Sequence, residues 1–233
     1  MINYKIFGSE TVDIVIEMGL GACIAEWEVL ARKLGENHGV LVYERAGINH
    51  SDRSDEERTP SNIAKELKNL LDQIPHDEKL LIIGHSQGGL YASEFCGLFP
   101  EILKGLILLD PLSKEDILNS LVNISHLHTC REEYSLAHDE AVLKNMVSKD
   151  KYPYIPIILI THSSKAVIEE IMEFGRTSRP FAIKIEELWQ EIMKDYLGYS
   201  KRSLWIHAKK GTHYIHLTEP EIIVESVKRI RHM

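Results

Sequence analysis

Short apolar runs punctuate the chain at residues 12–18, 40–43, 80–83, 106–109, 155–160 and 204–208. Several carry no polar alternation, the signature of strands covered on both faces. Between them lie stretches with helical spacing. Thr59 and Pro60 open one as a cap and an N1 proline, and Ile63, Leu67, Leu70, Leu71 and Ile74 form its apolar stripe. Residues 90–99 form a second apolar-periodic stretch. Glu219 and Pro220 open the last, with Ile223, Val227 and Ile230 facing inward. Strands alternating with helices predict an α/β fold, a doubly wound and mostly parallel sheet. The rhythm breaks once, over residues 112–153, where the sequence is helical but irregular and rich in polar side chains. That is too long for an ordinary connection, so the pattern predicts a small helical cap inserted into a core of residues 1–111 and 154–233. Repeats, low-complexity tracts and linkers are not seen, and the whole reads as a single domain.

Composition fits this picture and narrows it. A chain of 233 residues with 44% apolar content can fill a two-sided core. Its net charge of −8 argues against nucleic acid as a partner, which calls for clustered Lys and Arg. The mixed-sign stretch 52–58 reads as a solvated loop. No apolar run is long enough to span a bilayer, and Met1, Ile2, Asn3, Tyr4 and Lys5 lack a signal peptide's apolar core. Cys23, Cys96 and Cys130 cannot all pair and form no Cys-x-x-Cys, so a reducing cytoplasm is the simplest home. Oligomeric state is not legible.

The run 80–83 leads directly into Gly84, His85, Ser86, Gln87, Gly88 and Gly89, and a helical stretch follows. Strand, Gly-x-Ser-x-Gly turn and helix is the order a nucleophile elbow demands. The turn is so tight that its neighbours must be tiny, and its strain lifts the serine hydroxyl out at the carboxyl edge of the sheet. An ordinary glycine-rich turn with an incidental serine is the plainer account, and the placement between strand and helix speaks against it. A serine hydroxyl needs a base, and the base needs an orienting carboxylate. His213 lies in the loop between the last apolar run and the last helix, which opens on the same sheet edge. His207 falls inside a strand run and reads as packing. His213 with His216 raises the thought of a metal but has no third ligand nearby, and His126 and His128 with Cys130 are explained equally well by a polar cap loop, so no metal is expected.

For the acid, Asp110 ends the run 106–109 at the carboxyl edge, just before Pro111. The next run ends in Thr161, His162, Ser163 and Ser164, with no carboxylate. Asp110 is the choice on these grounds, although an aspartate before proline also serves as a turn cap. Glu169 and Glu170 are the alternatives. Two backbone N–H groups should hold the developing oxyanion. Gln87 supplies one as the residue after the serine. Leu20 supplies the other, between Gly19 and Gly21 in the loop after the first of these runs.

These segments resemble the α/β-hydrolase superfamily over nearly the whole chain, and in particular its small bacterial members. The resemblance rests on Glu17, Gly19, Leu20 and Gly21 leading to Trp27, and on Tyr43, Glu44, Arg45, Ala46, Gly47, Ile48, Asn49, His50 and Ser51. It continues in Leu108 to Pro111, in Trp189 and Gln190, and in a Gly-x-His-x-Ile-x-Leu-x-x-Pro segment from Gly211 to Pro220. Glu44 stands where those relatives carry aspartate and Asn49 where they carry glycine, which reads as structural drift. Such a resemblance implies a Ser86, Asp110 and His213 triad, a compact helical cap and hydrolysis of an acyl ester or amide without a cofactor. The expected activity is carboxylesterase-like, on a small-molecule acyl substrate, with Ile117, Leu121 and Tyr134 of the cap lining the acyl pocket. Amidase, iminopeptidase, lactonase and C–C hydrolase chemistry share the same site, and a small-ligand receptor that retains the triad is the reading from another class.

Overall fold

In a computed structural model, residues 1–112, 154–230 and 232–233 are described. The strands are β1 (Asn3–Gly8), β2 (Val12–Glu17), β3 (Gly39–Glu44), β4 (His76–His85), β5 (Leu103–Leu109), β6 (Ile157–Thr161) and β7 (Ser203–His207). They form one sheet in the order β1-β3-β2-β4-β5-β6-β7, in which only β1 runs antiparallel to its neighbour. Helices among the described residues are α1 (Ile24–Gly35), α2 (Pro60–Leu71), α3 (Gln87–Leu98), α4 (Ser164–Gly175), α5 (Arg179–Met193), the short α6 (Ile215–Thr218) and α7 (Pro220–Ile230).

The unbroken apolar runs are explained by helices on both faces. Ile14, Ile16, Ile83 and Ile107 pack with Trp27 and Leu30 of α1 and Ile223 and Val227 of α7. Their neighbours Val15, Ile82 and Leu106 point the other way, onto Leu67 of α2, Phe95 of α3 and Met193 of α5. Every residue of β2, β3 and β6 is buried. With both faces used, most positions of a strand are apolar, and the polar ones, such as Asp13 and Glu17 of β2, are buried with partners. The α2 cap forms as its residues dictate, with the Thr59 hydroxyl accepting from Asn62 N–H at 3.3 Å and Pro60 at N1.

Three features depart from the sequence reading. β1 lies outside the runs that the pattern marks, because an edge strand half in solvent needs few apolar residues. The stretch 52–58 is exposed until Arg58, which is buried and paired with Glu66 at 2.7 Å, so it is a loop anchored at one end. His207 sits at the exposed end of β7, against Trp205, rather than in the core. The expected cap, with Ile117, Leu121, Tyr134, His126, His128 and Cys130, lies outside the described residues apart from Leu112. Leu112 N–H donates to Ser86 O at 2.8 Å, so that residue belongs to the edge of the core.

Strand register determines where the site forms. Glu17 pairs with Gly84, His85 with Leu109, and Leu109 with Ile160. Thr161 pairs with His207. The carboxyl ends of β2, β4, β5, β6 and β7 are therefore level. The residues that follow them, from the loop after Glu17 to His213, share one rim.

Candidate active site

Ser86 follows β4, the middle strand of the sheet, with φ 53° and ψ −126°. A non-glycine residue at positive φ is strained, by about 1–3 kcal/mol, and persists only where its surroundings enforce it. Here they do. Ser86 N–H donates to Leu109 O at 3.1 Å, while Ser86 O accepts from Gly89 N–H at 2.9 Å and from Leu112 N–H. A Cβ on Gly88 would lie 2.2 Å from Glu17 O, so only glycine lets the start of α3 close against the end of β2.

Asp110 is also forced into the left-handed region, at φ 44°, its N–H bonded to Ile160 O at 2.8 Å. This turns its carboxylate towards the loop after β7. Asp110 Oδ2 lies 2.7 Å from His213 Nδ1. Asp110 Oδ1 accepts from His162 N–H at 3.1 Å and faces His162 Nδ1 at 2.8 Å. Burial alone would raise the Asp110 carboxyl, but the hydrogen bonds from His162 and His213 outweigh it and hold the group ionised far below the usual carboxylate range. Glu169, by contrast, is exposed on α4, and Glu170 lies half-buried on the same helix.

His213 is half-exposed, and its backbone carbonyl faces His85 Nε2 at 3.0 Å. Burial, and then the neighbouring His213 and His216, push the His85 imidazole well below the usual histidine range. It stays neutral, with Nε2–H as the donor to that carbonyl. The residue before the candidate nucleophile thus holds the loop of the candidate base. Among the described residues no hydrogen bond joins Ser86 Oγ to His213 Nε2, a contact that often tightens only when substrate binds. His216 is buried, stacked on Trp27 with ring centroids 3.9 Å apart and bonded to Glu26 at 2.9 Å. That is a packing role. No cluster of three metal-ligating side chains occurs among the described residues.

The loop after β2 passes beside the serine, since a Cβ on Gly19 would lie 3.4 Å from Ser86 Cβ. Its conformation is set by Arg45, whose Nη1 donates to Glu17 Oε1 at 2.7 Å and Met18 O at 2.6 Å, while Nη2 donates to Gly19 O at 3.0 Å. The tyrosine hydroxyl of Tyr43 donates to the other Glu17 oxygen. All peptides described are trans. A carbonyl fixed on Arg45 therefore turns the Leu20 N–H of the same peptide plane away from Arg45. Gln87, the other candidate donor, opens α3 immediately after Ser86. Asn49, where the resembling proteins carry glycine, adopts φ 44° and donates from Nδ2 to Ala22 O at 3.0 Å. Asparagine tolerates that region better than most residues.

Arg45, His85 and His162, with Glu186 of α5 at 2.9 Å from His162 Nε2, are parts of this arrangement that the sequence did not assign. Arg45 and the pair Trp189 and Gln190 stood inside resembling segments, but nothing local gave them a role.

Comparison with known proteins agrees with the fold. Residues 14–125 match the family model described as alpha/beta hydrolase fold. An uncharacterized Bacillus subtilis (strain 168) protein, YqjL, is 28% identical over 225 residues, covering 93% of this chain and 82% of that one. The enol-lactonase of Burkholderia xenovorans LB400 superposes with a TM-score of 0.67 at 12% identity, covering 100% of this chain and 96% of its own. An esterase from a marine microorganism gives 0.64 at 14% identity, covering 98% of each chain. The chain has the α/β-hydrolase fold, and its residues 14–125 match that family's model. The superfamily places nucleophile, acid and base on the carboxyl rim in the chain order Ser, acid, His, and Ser86, Asp110 and His213 follow that order.

Proposed function

We propose that this α/β-hydrolase-fold chain cleaves a small-molecule carboxylic ester through an acyl-enzyme, with Ser86 as nucleophile, His213 as base and Asp110 as the orienting acid. The observation that carries the reading is the 2.7 Å bond between Asp110 and His213 on the rim that also bears the strained Ser86. Ser86 Oγ attacks the acyl carbonyl carbon as its proton passes to His213 Nε2. Backbone N–H groups of Gln87 and Leu20 take the oxyanion, each contributing about 3 kcal/mol to the barrier reduction. The tetrahedral intermediate collapses, and His213 gives its proton to the departing alcohol. Water, deprotonated by His213, then attacks the acyl-enzyme, and the second tetrahedral intermediate collapses to the acid as His213 returns the proton to Ser86 Oγ. Asp110 remains ionised throughout and stabilises the imidazolium. No step requires a cofactor.

The test is turnover of short p-nitrophenyl esters by the wild-type chain and by Ser86→Ala. Multiple turnovers that vanish in the variant are expected. Hydrolysis at an undiminished rate by Ser86→Ala would overturn the assignment. A panel of lactones, amides and C–C substrates beside the esters then fixes the bond type.

A further inference from the structure

Asp110 is bound by two imidazoles, and only His213 belongs to the proposed triad. The other, His162, lies at the end of β6 and is itself gripped at both nitrogens. Nδ1 faces Asp110 Oδ1 at 2.8 Å and Nε2 faces Glu186 Oε2 at 2.9 Å. Glu186, on α5, accepts from Gln190 Nε2 at 2.6 Å on its other oxygen. The Trp189 ring lies over His162, with centroids 4.1 Å apart. His162, Asp110 and Glu186 are all buried. A neutral imidazole offers one donor and one acceptor, whereas an imidazole with a carboxylate oxygen at each nitrogen needs two donors. The geometry therefore calls for an imidazolium, and an aromatic face beside it suits a cation.

Building on the triad reading, we propose that His162 is a positioning residue: a protonated imidazolium, clamped between Asp110 and Glu186, that fixes the acid's orientation and tempers its pull on the proton of His213. Burial alone would lower the imidazole, but the hydrogen bonds to Asp110 and then Glu186 lift it to about 9, so the cation persists at neutral pH. Burial would raise Glu186, and its bonds from His162, Ser164 and Gln190 lower it instead. The titratable groups facing His162 are Asp110 and Glu186. Those facing His213 are Asp110, His85 at 4.7 Å between ring centroids, and Tyr214 at 5.5 Å. Without the cation, two buried carboxylates would act on His213 and hold it protonated to higher pH, where it could not serve as base. With it, the acid orients His213 while much of its charge is offset.

The test compares pH profiles of kcat/KM for the wild type, His162→Gln and Glu186→Gln, alongside an NMR titration of the His213 ring in each. His162→Gln removes a positive charge, so the acid limb should move up by about one pH unit. Glu186→Gln keeps an acceptor for His162 and removes a negative charge, so the limb should move down, by roughly half as much. Shifts of opposite sign are the signature of charge. A brace without electrostatic effect would lower kcat in both variants and leave both limbs in place, which would overturn the proposal, as would shifts in the same direction. If His162→Gln does not fold, the downward shift in Glu186→Gln decides alone. Should the wild type prove inactive on every ester, the triad reading falls, while the NMR titration of His213 still accepts or rejects the clamp.

Discussion

Ser86 and Asp110 follow adjacent strands, both at positive φ, yet they are held by different forces. Around Ser86 the work is steric and main-chain: glycines where a Cβ would strike backbone, a hydrogen bond donated to Leu109 O and two accepted from Gly89 and Leu112 N–H. Around Asp110 it is electrostatic, with two imidazoles on one carboxylate and a second carboxylate behind. A nucleophile needs exposure and a fixed direction, and its neutral hydroxyl can be removed without leaving a charge behind. An acid that must stay ionised while buried needs partners, because an isolated buried carboxylate would take up a proton instead. The two halves of one site should therefore fail in different ways.

The sharpest contrast is in activity. Ser86→Ala should lower ester turnover by about 10⁵-fold or more, while its melting temperature barely moves, because alanine fits the same turn. Asp110→Asn should cost about 10⁴-fold in turnover by allowing the wrong imidazole tautomer. Unlike the serine variant it should also lose about 3–5 kcal/mol of stability, since His162 is left a buried cation with one anion fewer. Equal thermal stability in the two variants would break the comparison.

Arg45 belongs to the side of the proposed nucleophile. Lysine there keeps the charge towards Glu17 but cannot reproduce the fork that holds Met18 O and Gly19 O together. Arg45→Lys should lower kcat by about 10²-fold or less, with KM little changed, through loss of one oriented oxyanion donor. A KM effect alone would place Arg45 in substrate binding instead.

The smallest effect lies in thermal stability at alkaline pH. His162 titrates near 6.5 when unfolded and is lifted to about 9 in the fold. A raised folded value means that the clamp's contribution is complete below 6.5 and is lost as pH climbs through about 9. The wild-type melting temperature should fall by a few degrees across that window, and the fall should be reduced in His162→Gln.

The same division governs what could be read in the sequence. The elbow was legible because its steric demand is met within six residues, from Gly84 to Gly89. The parallel strands were legible because burial on both faces leaves unbroken apolar runs, whereas β1, half in solvent, left no such mark. Asp110 could be placed after one strand and His213 in the loop after another from their positions along the chain. The clamp could not, since His162 follows β6 and Glu186 lies on α5, and the fold alone brings His162 to Asp110 and Glu186 to His162. The one sign of it was negative: residues 161–164 offered no carboxylate where one was sought, and a histidine stands there to bind the carboxylate of the strand before. Arg45 was hidden likewise, because a buried arginine reads as a loop charge until Glu17 and the carbonyls it holds are seen beside it.

The most direct test of the central claim is covalent labelling with a fluorophosphonate, followed by peptide mapping. The account predicts one adduct per chain, on Ser86, formed as ester turnover is lost and greatly slowed in His213→Ala. An adduct on any other residue, or full ester turnover by a chain already labelled at Ser86, would contradict it.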